Sequence, residues 1–179
     1  MQYPSLEGKL NLDTWKKFEK MLSHSAVHHL VTIAELLEEH GYARVSDVSR
    51  RLEITRGSAS ITLKRLKERG LVTEDKRRFL GLSESGQQIA HSVQMKKKIM
   101  MTLFKDFLGV DATQADQDTC KIEHLISAET ADRAARLLRF IESAPPVVKD
   151  FIQALEQFEK LSQDNHSLHL VDAQIEKKD

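Results

Sequence analysis

Hydrophobic residues recur at helical spacing over most of the chain. Between residues 12 and 39 the apolar positions are Leu12, Trp15, Phe18, Leu22, Val27, Leu30, Ile33, Leu36 and Leu37. Because residues three and four apart share one face of an α-helix, this pattern predicts one long amphipathic helix over residues 12–39. Gly41 is expected to end it, since glycine readily adopts the left-handed conformation that follows many helices.

Two shorter helices and a hairpin are predicted next. Ser46 is expected to cap a short helix through SDVSRRL, and Glu-Ile-Thr at 53–55 to form a turn. Thr55 then caps a second helix, which runs to about Arg69 and stops at Gly70. The β-type runs LVT and RFLGLS flank the polar turn EDKR and predict a small hairpin. This order of elements is the layout of a winged helix–turn–helix.

The remainder of the chain is predicted to be helical, so the expected fold class is mainly α. Ser83 begins a helix that Gly109 ends, and Asp111 or Thr113 caps the helix that carries CKIEHLIS. Residues 128 to about 142 form another helix.

The C-terminal part contributes one more predicted helix. An Ala-Pro-Pro run at 144–146 breaks the preceding helix, because proline lacks a backbone N–H. Phe151, Leu155 and Phe158 support a last helix to about residue 161. The tail after it is polar and is expected to be mobile.

Charge is balanced overall but not locally. The 179 residues contain 27 Lys+Arg and 27 Asp+Glu, which gives a formal net charge of zero. Between Arg44 and Arg78, eleven Lys/Arg stand against five acids, an excess of six positive charges. From Glu142 to the C-terminus, eight acids stand against four bases. The basic stretch coincides with the predicted winged helix, where an acidic partner such as DNA would bind.

Composition also narrows the location and the class of protein. No apolar run approaches the roughly 20 residues of a membrane span, and MQYPSLEGKL lacks the order of a signal peptide. The single cysteine, Cys120, cannot form an internal disulfide, so a reducing cytoplasm is the expected location. The sequence contains no Gly-rich phosphate loop and no HExxH, and we expect neither an enzyme nor a small-molecule substrate.

The second helix of the predicted winged helix–turn–helix separates into two faces. Ala59, Leu63 and Leu66 are spaced to pack inward. On the other face, small polar residues would allow close approach to base edges, cations would bind phosphates, and an isoleucine would suit a thymine methyl group. The predicted DNA-binding residues, which include two arginines of the hairpin turn, are Thr55, Arg56, Ser58, Ser60, Ile61, Thr62, Lys64, Arg77 and Arg78.

Binding of double-stranded DNA has an alternative, because many winged helices bind protein and many basic helix faces are only solvated. The local excess of positive charge favours DNA. One recognition helix of this size reads only a half-site, so a homodimer is expected.

A thiol, a carboxylate and an imidazole lie close together in CKIEHLIS. Cys120, Glu123 and His124 share one face if this segment is helical. Such a set suits a divalent transition ion, although a buried cysteine beside a glutamate is also ordinary in helical proteins. Three ligands leave the site open, and the first helix offers His24, His28 and His29 to complete it.

Several segments together resemble the diphtheria-toxin-repressor family of metal-dependent transcriptional regulators, including its manganese-transport-regulator branch. They are EEHGYARVSDVSRRL, LSESG, FLGVD and Cys-x-x-Glu-His-x-x-Ser, over roughly residues 20–142. The resemblance implies an N-terminal winged helix, a helical dimerisation domain, and metal-activated binding to a palindromic operator. It predicts a DNA-binding domain over 1–82, a metal-binding and dimerisation domain over 83–162, and a flexible tail over 163–179, the short form of the family.

The resemblance also implies a primary metal site at His28, Cys120, Glu123 and His124. Family members have Met or Asp where this chain has His28, so the site is richer in nitrogen. We expect one divalent transition metal per protomer. Affinity order alone would favour Zn(II) over Fe(II), but the cysteine-bearing branch of the family responds to iron, so Fe(II) is favoured and Zn(II) or Mn(II) is also possible. Whether His24 or His29 contributes depends on the rotation of the first helix.

The family's accessory metal site has no counterpart in this chain. Its histidine and glutamate positions fall on Lys97 and Met101, and Asp116 alone lies near a third position. One hypothesis is that the Lys97 ammonium replaces the missing ion and pairs with a nearby acid; a solvated lysine is the alternative. Two further alternatives for the whole protein are a related regulator that no longer requires metal and, least favoured, a metalloenzyme.

Overall fold

The computed structural model describes residues 22–143 and, beyond them, residues 146–148, 150–151, 153–155 and 157–158. Its elements in chain order are α1 (His24–His40), α2 (Val45–Arg51), α3 (Arg56–Glu68), β1 (Val72–Glu74), β2 (Leu80–Leu82), α4 (Glu84–Met101), a π-helical segment (Thr102–Phe107), α5 (Ala112–Ile122) and α6 (Ala128–Glu142). This confirms the mainly helical class. None of the described helices is long and apolar enough to cross a membrane.

The first helix is shorter than predicted. Ser23 has an extended backbone, and its side chain accepts a hydrogen bond from Ala26 N at 3.3 Å, so α1 begins at His24. A single helix through residue 23 is therefore wrong, because the serine hydroxyl caps a new helix instead of continuing one. Residues 12–21 of the predicted helix lie outside the described residues. Gly41 ends α1 as predicted, with φ of 74° and its N–H donating to Leu37 O.

The helix–turn–helix forms with one corrected cap. Arg44 rather than Ser46 is the N-cap of α2 and makes no side-chain capping bond. Ser46 lies inside the first turn, where its carbonyl accepts a hydrogen bond from the Ser49 hydroxyl at 3.0 Å. The tight turn is made by Glu53 at φ 54°. Thr55 caps α3 as predicted, accepting from Ser58 N at 3.1 Å.

The predicted hairpin is present as an antiparallel pair, with Val72 opposite Leu82 and Glu74 opposite Leu80. Its turn is held by Asp75 Oδ1, which accepts from Arg77 N at 2.9 Å and Phe79 N at 2.8 Å. Leu80 N also donates to the carbonyl of Ala43, which ties the hairpin to the segment before α2.

One core holds the winged helix together. α1, α2, α3, the hairpin and α4 each contribute to it, and its buried members include Val27, Leu30, Ile33, Leu36, Val48, Ala59, Leu63, Leu66, Leu71, Leu80, Ile89 and Val93. The predicted inward face of α3 is confirmed. Gly86 in α4 allows the helix to approach the hairpin, because a Cβ there would lie 2.2 Å from Leu71 O. The LSESG segment thus combines a cap at Ser83 with a close contact.

The helices after the hairpin follow the prediction with local differences. The expected helix from Ser83 to Gly109 ends in the π-helical segment, where Leu108 N donates to Leu103 O. Asp111, not Thr113, caps α5. α5 stops at Ile122, so Glu123 is its C-cap and His124 lies in the turn beyond. The prediction that Cys120, Glu123 and His124 share one regular helical face is therefore wrong for His124.

The chain divides into two compact units, one extending to Arg136 and one from Leu137 onward. The first contains every element from α1 to α5 and the start of α6. In the second, Leu138 and Ile141 are buried and Phe140 is exposed. The described residues from 146 to 158 are helical, and the predicted end near residue 161 and the tail lie outside the described residues.

Candidate metal centre and nucleic-acid interface

Residues from two distant segments meet around the imidazole of His28. Its Nε2 lies 3.6 Å from Cys120 Sγ and 3.9 Å from Glu123 Oε1. α1 holds His28 one turn after its N-terminus, and the last turn of α5 with its C-cap presents the thiol and the carboxylate. Three of the four predicted ligands, His28, Cys120 and Glu123, therefore lie together, although 92 residues separate His28 from Cys120.

His24 joins this cluster, whereas His29 does not. His24 Nε2 lies 2.7 Å from His28 Nε2, and the ring centroid of His24 lies 4.4 Å from that of His124. The ligand atoms of His24, His28 and Cys120 all lie within 4.8 Å of one another. His29 is buried and its Nδ1 donates to Ser25 O at 2.6 Å. The i, i+4 spacing of His24 and His28 is the signal in the sequence that favours this pair.

Burial shifts the pKa values of His28, Glu123, Cys120 and His124 toward their uncharged forms. Desolvation, assisted by the neighbouring His24, lowers the pKa of His28 to about 4. Desolvation raises the pKa of Glu123 to about 7, although the Lys97 cation opposes that shift. The pKa of the Cys120 thiol is raised by burial and by Glu123, and that of His124 is lowered mainly by burial. Neutral histidines are in the protonation state that binds a metal, whereas the thiol must lose its proton first.

Two polar atoms support a ligand at this point. Glu123 is 3% exposed, and within the described residues its Oε2 and the Nδ1 of His124 have no hydrogen-bond partner. Buried polar atoms are normally satisfied, so such atoms call for an ion or a water. Donors bound tetrahedrally at 2.0–2.3 Å stand roughly 3.3–3.8 Å apart, which is close to the 3.6 Å and 3.9 Å that separate His28 from Cys120 and Glu123. The 2.7 Å between His24 and His28 is shorter and would have to widen around an ion. The donor set therefore fits a divalent transition ion, and a bound ion would replace the His24–His28 hydrogen bond.

Two neighbouring lysines of α4 have different environments. Lys97 Nζ lies 2.9 Å from Asp116 Oδ1 on α5. Burial alone would lower the pKa of Lys97, but the hydrogen bond that its ammonium donates to the Asp116 carboxylate, together with the charge of that carboxylate, raises the pKa overall. Lys96 is fully buried and its Nζ donates to Ile126 O at 2.8 Å. Sequence reasoning missed Lys96, because three consecutive lysines give no sign of which one points inward.

The predicted DNA-binding residues lie on one side of the winged helix. All nine are at least partly exposed, and among them Ile61 is 58% exposed. Two cations are engaged in ion pairs, Lys64 with Glu68 at 4.0 Å and Arg78 with Glu74 at 3.2 Å. Thr55 serves first as the cap of α3.

A basic cleft of about 510 Å³ opens between α3 and the hairpin turn. Its lining includes Arg44, Arg56, Ser60, Arg77 and Arg78. Arg44 was absent from the prediction; its guanidinium stacks on the Phe79 ring, 4.5 Å from the centroid. The contact holds a cation at the edge of the cleft, a position suited to a contact with a DNA phosphate.

A winged helix–turn–helix with a basic outer face and a basic cleft defines a protein of the winged-helix DNA-binding class. The chain belongs to the iron-dependent repressor family. The model of that family described as "Iron dependent repressor, N-terminal DNA binding domain" matches residues 21–80, and the one described as "metal binding and dimerisation domain" matches residues 83–151. The resemblance inferred from the sequence is confirmed.

Known relatives agree with this assignment. The HTH-type transcriptional regulator MntR of Lysinibacillus sphaericus is 29% identical over 129 residues, which cover 72% of this chain and 92% of that protein. The diphtheria toxin repressor of Corynebacterium diphtheriae is 29% identical over 117 residues, which cover 65% of this chain and 52% of that protein. Among solved structures, T. acidophilum IdeR has a TM-score of 0.56 and 25% identity, covering 63% of this chain and 53% of that chain. This chain thus spans most of one relative and about half of the others.

Proposed function

We propose that this protein is a metal-activated transcriptional repressor that binds a palindromic operator as a homodimer in the cytoplasm. The observation that supports it most directly is the cluster around His28, where a helix of the winged-helix core meets the end of α5. An ion held there would join the DNA-reading part of the chain to the metal-binding part. Two recognition helices, one from each protomer, would read two half-sites.

The proposed ligands are His28, Cys120, Glu123 and His124, with His24 as an additional donor. Imidazole and thiolate donors suit both Fe(II) and Zn(II), and affinity alone would favour Zn(II). We favour Fe(II) because the matching family models are described as iron-dependent repressors; Zn(II) is close behind and Mn(II) is possible. The ion supplies cross-linking rather than chemistry. To hold the ion, His24 and His28 would give up their mutual hydrogen bond, and the Cys120 thiol and the Glu123 carboxyl would release their protons to solvent.

Elemental analysis tests the site. Protein purified without an affinity tag is titrated anaerobically with Fe(II), Mn(II) and Zn(II) while its binding to a pool of random DNA is followed. We expect about one ion per protomer, DNA binding that follows occupancy, and loss of both in His28→Ala and Cys120→Ser. His91→Ala, at an exposed histidine of α4, is the matched control and should behave like wild type. A full metal response in Cys120→Ser would refute the ligand assignment.

A second candidate is a regulator of the same family that no longer requires metal. The ion pair between Lys97 and Asp116 favours this candidate. Lys97 Nζ lies 2.9 Å from Asp116 Oδ1, so the pair links α4 to α5 with no need for a metal ion. In this proposal the Lys97 ammonium replaces the accessory metal ion.

Charge removal separates the two candidates. If the ion pair alone maintains the DNA-binding form, chelator-treated wild type should bind DNA and Asp116→Asn should bind more weakly. Asp118→Asn is the matched control, since Asp118 pairs with Lys121 within α5 at 3.1 Å. If metal is required instead, all three chelator-treated proteins, the wild type, Asp116→Asn and Asp118→Asn, should bind DNA equally weakly.

A further inference from the structure

The exposed face of α3 has an apolar residue at its centre. Ile61 is 58% exposed, while Ala59, Leu63 and Leu66 on the opposite face are buried in the core. The buried face fixes the rotation of the helix about its axis. The outward direction of Ile61 is therefore set by the fold and not by local flexibility.

The surroundings of Ile61 differ on its two sides. One turn before it, at i−4 and i−3, stand Gly57 and Ser58; one turn after it, at i+3 and i+4, stand Lys64 and Arg65. Residues at these spacings are surface neighbours on a helix. Small residues on one side leave room for a groove wall, and cations on the other can bind phosphates.

The chemistry of the major groove leaves one suitable partner for such a side chain. Each base edge there presents hydrogen-bond donors and acceptors, and the C5-methyl group of thymine is the apolar feature. The sequence of α3, RGSASITLKRLKE, contains no Asn or Gln, the side chains that bind adenine through two hydrogen bonds. Readout of an A·T pair by this helix must therefore depend on apolar contact or on short hydroxyls.

We infer that Ile61 determines sequence specificity by contacting the methyl group of one thymine in each half-site of the operator. This inference rests on the proposed function, since it requires DNA to bind with α3 in the major groove. It adds the base that the protein selects and the side chain that selects it.

Removal of single methyl groups from the DNA tests the inference. Metal-loaded wild type first selects its preferred sequence from a random pool, and each thymine of that sequence is then replaced in turn by deoxyuridine. We expect one thymine per half-site whose replacement weakens binding about fourfold, since burying one methyl-sized group is worth about that factor. Replacing both symmetric thymines should weaken binding by about 15-fold.

The Ile61→Ala variant, combined with the deoxyuridine operators, forms a double-mutant cycle between this side chain and the thymine methyl group. Ile61→Ala should bind the thymine and deoxyuridine operators equally, because the side chain that senses the methyl group is gone. Alanine is a better helix former than isoleucine, so the variant is expected to fold, which circular dichroism checks. Lys64→Ala is the control: it should weaken all operators alike and reduce the salt dependence, while still distinguishing thymine from deoxyuridine.

The possible outcomes are distinct. Insensitivity of the wild type to every deoxyuridine, or a sensitivity that persists in Ile61→Ala, would overturn the inference and leave the proposed repressor intact. Failure of the metal-loaded protein to select any DNA sequence would overturn the proposed function and this inference with it.

Discussion

Burial shifts the pKa values of His28 and Glu123, two side chains of the candidate metal centre, in opposite directions. Burial disfavours whichever form carries charge, so the pKa of His28 falls to about 4 and that of Glu123 rises to about 7. Near neutral pH, His28 is neutral and about half of the Glu123 carboxyls keep their proton. If Glu123 binds the proposed ion, the ion must displace those protons, and metal affinity should then depend on pH.

Proton release on metal binding should increase as the pH falls toward 6. Near pH 8 the Cys120 thiol, whose pKa is raised by burial, should release about one proton per ion. Below pH 7 the Glu123 carboxyl is also protonated and adds a second. Calorimetric titration with Zn(II), in buffers that bind zinc weakly and differ in ionisation enthalpy, measures the number of protons released.

Metal affinity should fall over the same range, because protons compete with the ion for Glu123. Glu123→Gln is the control: its proton release should lack the increase below pH 7. A release that stays constant from pH 8 to pH 6 in the wild type would contradict a Glu123 carboxyl that is protonated near neutral pH and loses its proton to bind the ion.

His24→Ala should weaken metal binding without unfolding the protein. His24 is exposed and contacts both His28 and His124, so its loss removes a donor and little packing. Loss of a residue that only supports a ligand typically lowers metal affinity about 10- to 100-fold. We expect the metal affinity of His24→Ala to fall by at least that much. Competition against a fluorescent chelator measures the change. If His24→Ala binds metal as tightly as the wild type, His24 is not a ligand and the ligand set consists of the four predicted residues alone.

Helices and turns are positioned by caps and by one close approach. Ser23, Thr55, Ser83 and Asp111 each accept a hydrogen bond from a backbone N–H of the helix that follows. These bonds satisfy N–H groups that would otherwise lack a partner. The packing of α4 on the hairpin depends instead on the missing side chain of Gly86.

Gly86→Ala should destabilise the winged helix by about 1–3 kcal/mol. The new Cβ would lie 2.2 Å from the Leu71 carbonyl oxygen, and backbone on both sides must move. Gly57→Ala is the matched control, because a Cβ there meets only the Thr55 hydroxyl at 3.8 Å. Since alanine favours helix over glycine, that variant should be stabilised by up to about 1 kcal/mol. Urea unfolding of the metal-free proteins measures both; equal effects would contradict the close contact.

In the proposed repressor, α1 is the element of the whole molecule that would connect the DNA-binding part to the metal site. This helix contributes Leu30 and Ile33 to the winged-helix core and His24 and His28 to the metal cluster. An ion that ties α1 to α5 therefore restricts the same body that carries α3. Coupling between the two sites must be reciprocal in binding free energy.

Operator DNA should raise metal affinity by the same factor by which metal raises DNA affinity, within about 5- to 150-fold. Chelator competition with and without operator measures one factor, and DNA titration with and without Zn(II) measures the other. In Cys120→Ser both factors should approach one. If metal affinity of the wild type were indifferent to operator, the coupling proposed through α1 would be wrong.

The sequence by itself determined the features that depend on neighbours along the chain. Caps at Thr55 and Ser83, the left-handed glycines at 41, 70 and 109, and the hairpin all follow from backbone hydrogen bonds and steric limits within a few residues. The buried face of α3 follows from its 3.6-residue period. The combination of local motifs also identified the family.

Only the tertiary structure decided which side chains from distant segments meet. His24 approaches His28 and Cys120 while His29 is buried, because the core contacts of α1 set its rotation to within one residue. Spacing alone placed Glu123 and His124 on a helix, but α5 stops at Ile122. Lys96 donates to a carbonyl 30 residues away, and Lys97 pairs with Asp116 on another helix. Such contacts join residues that no local pattern relates, so their partners become known only once the chain has packed.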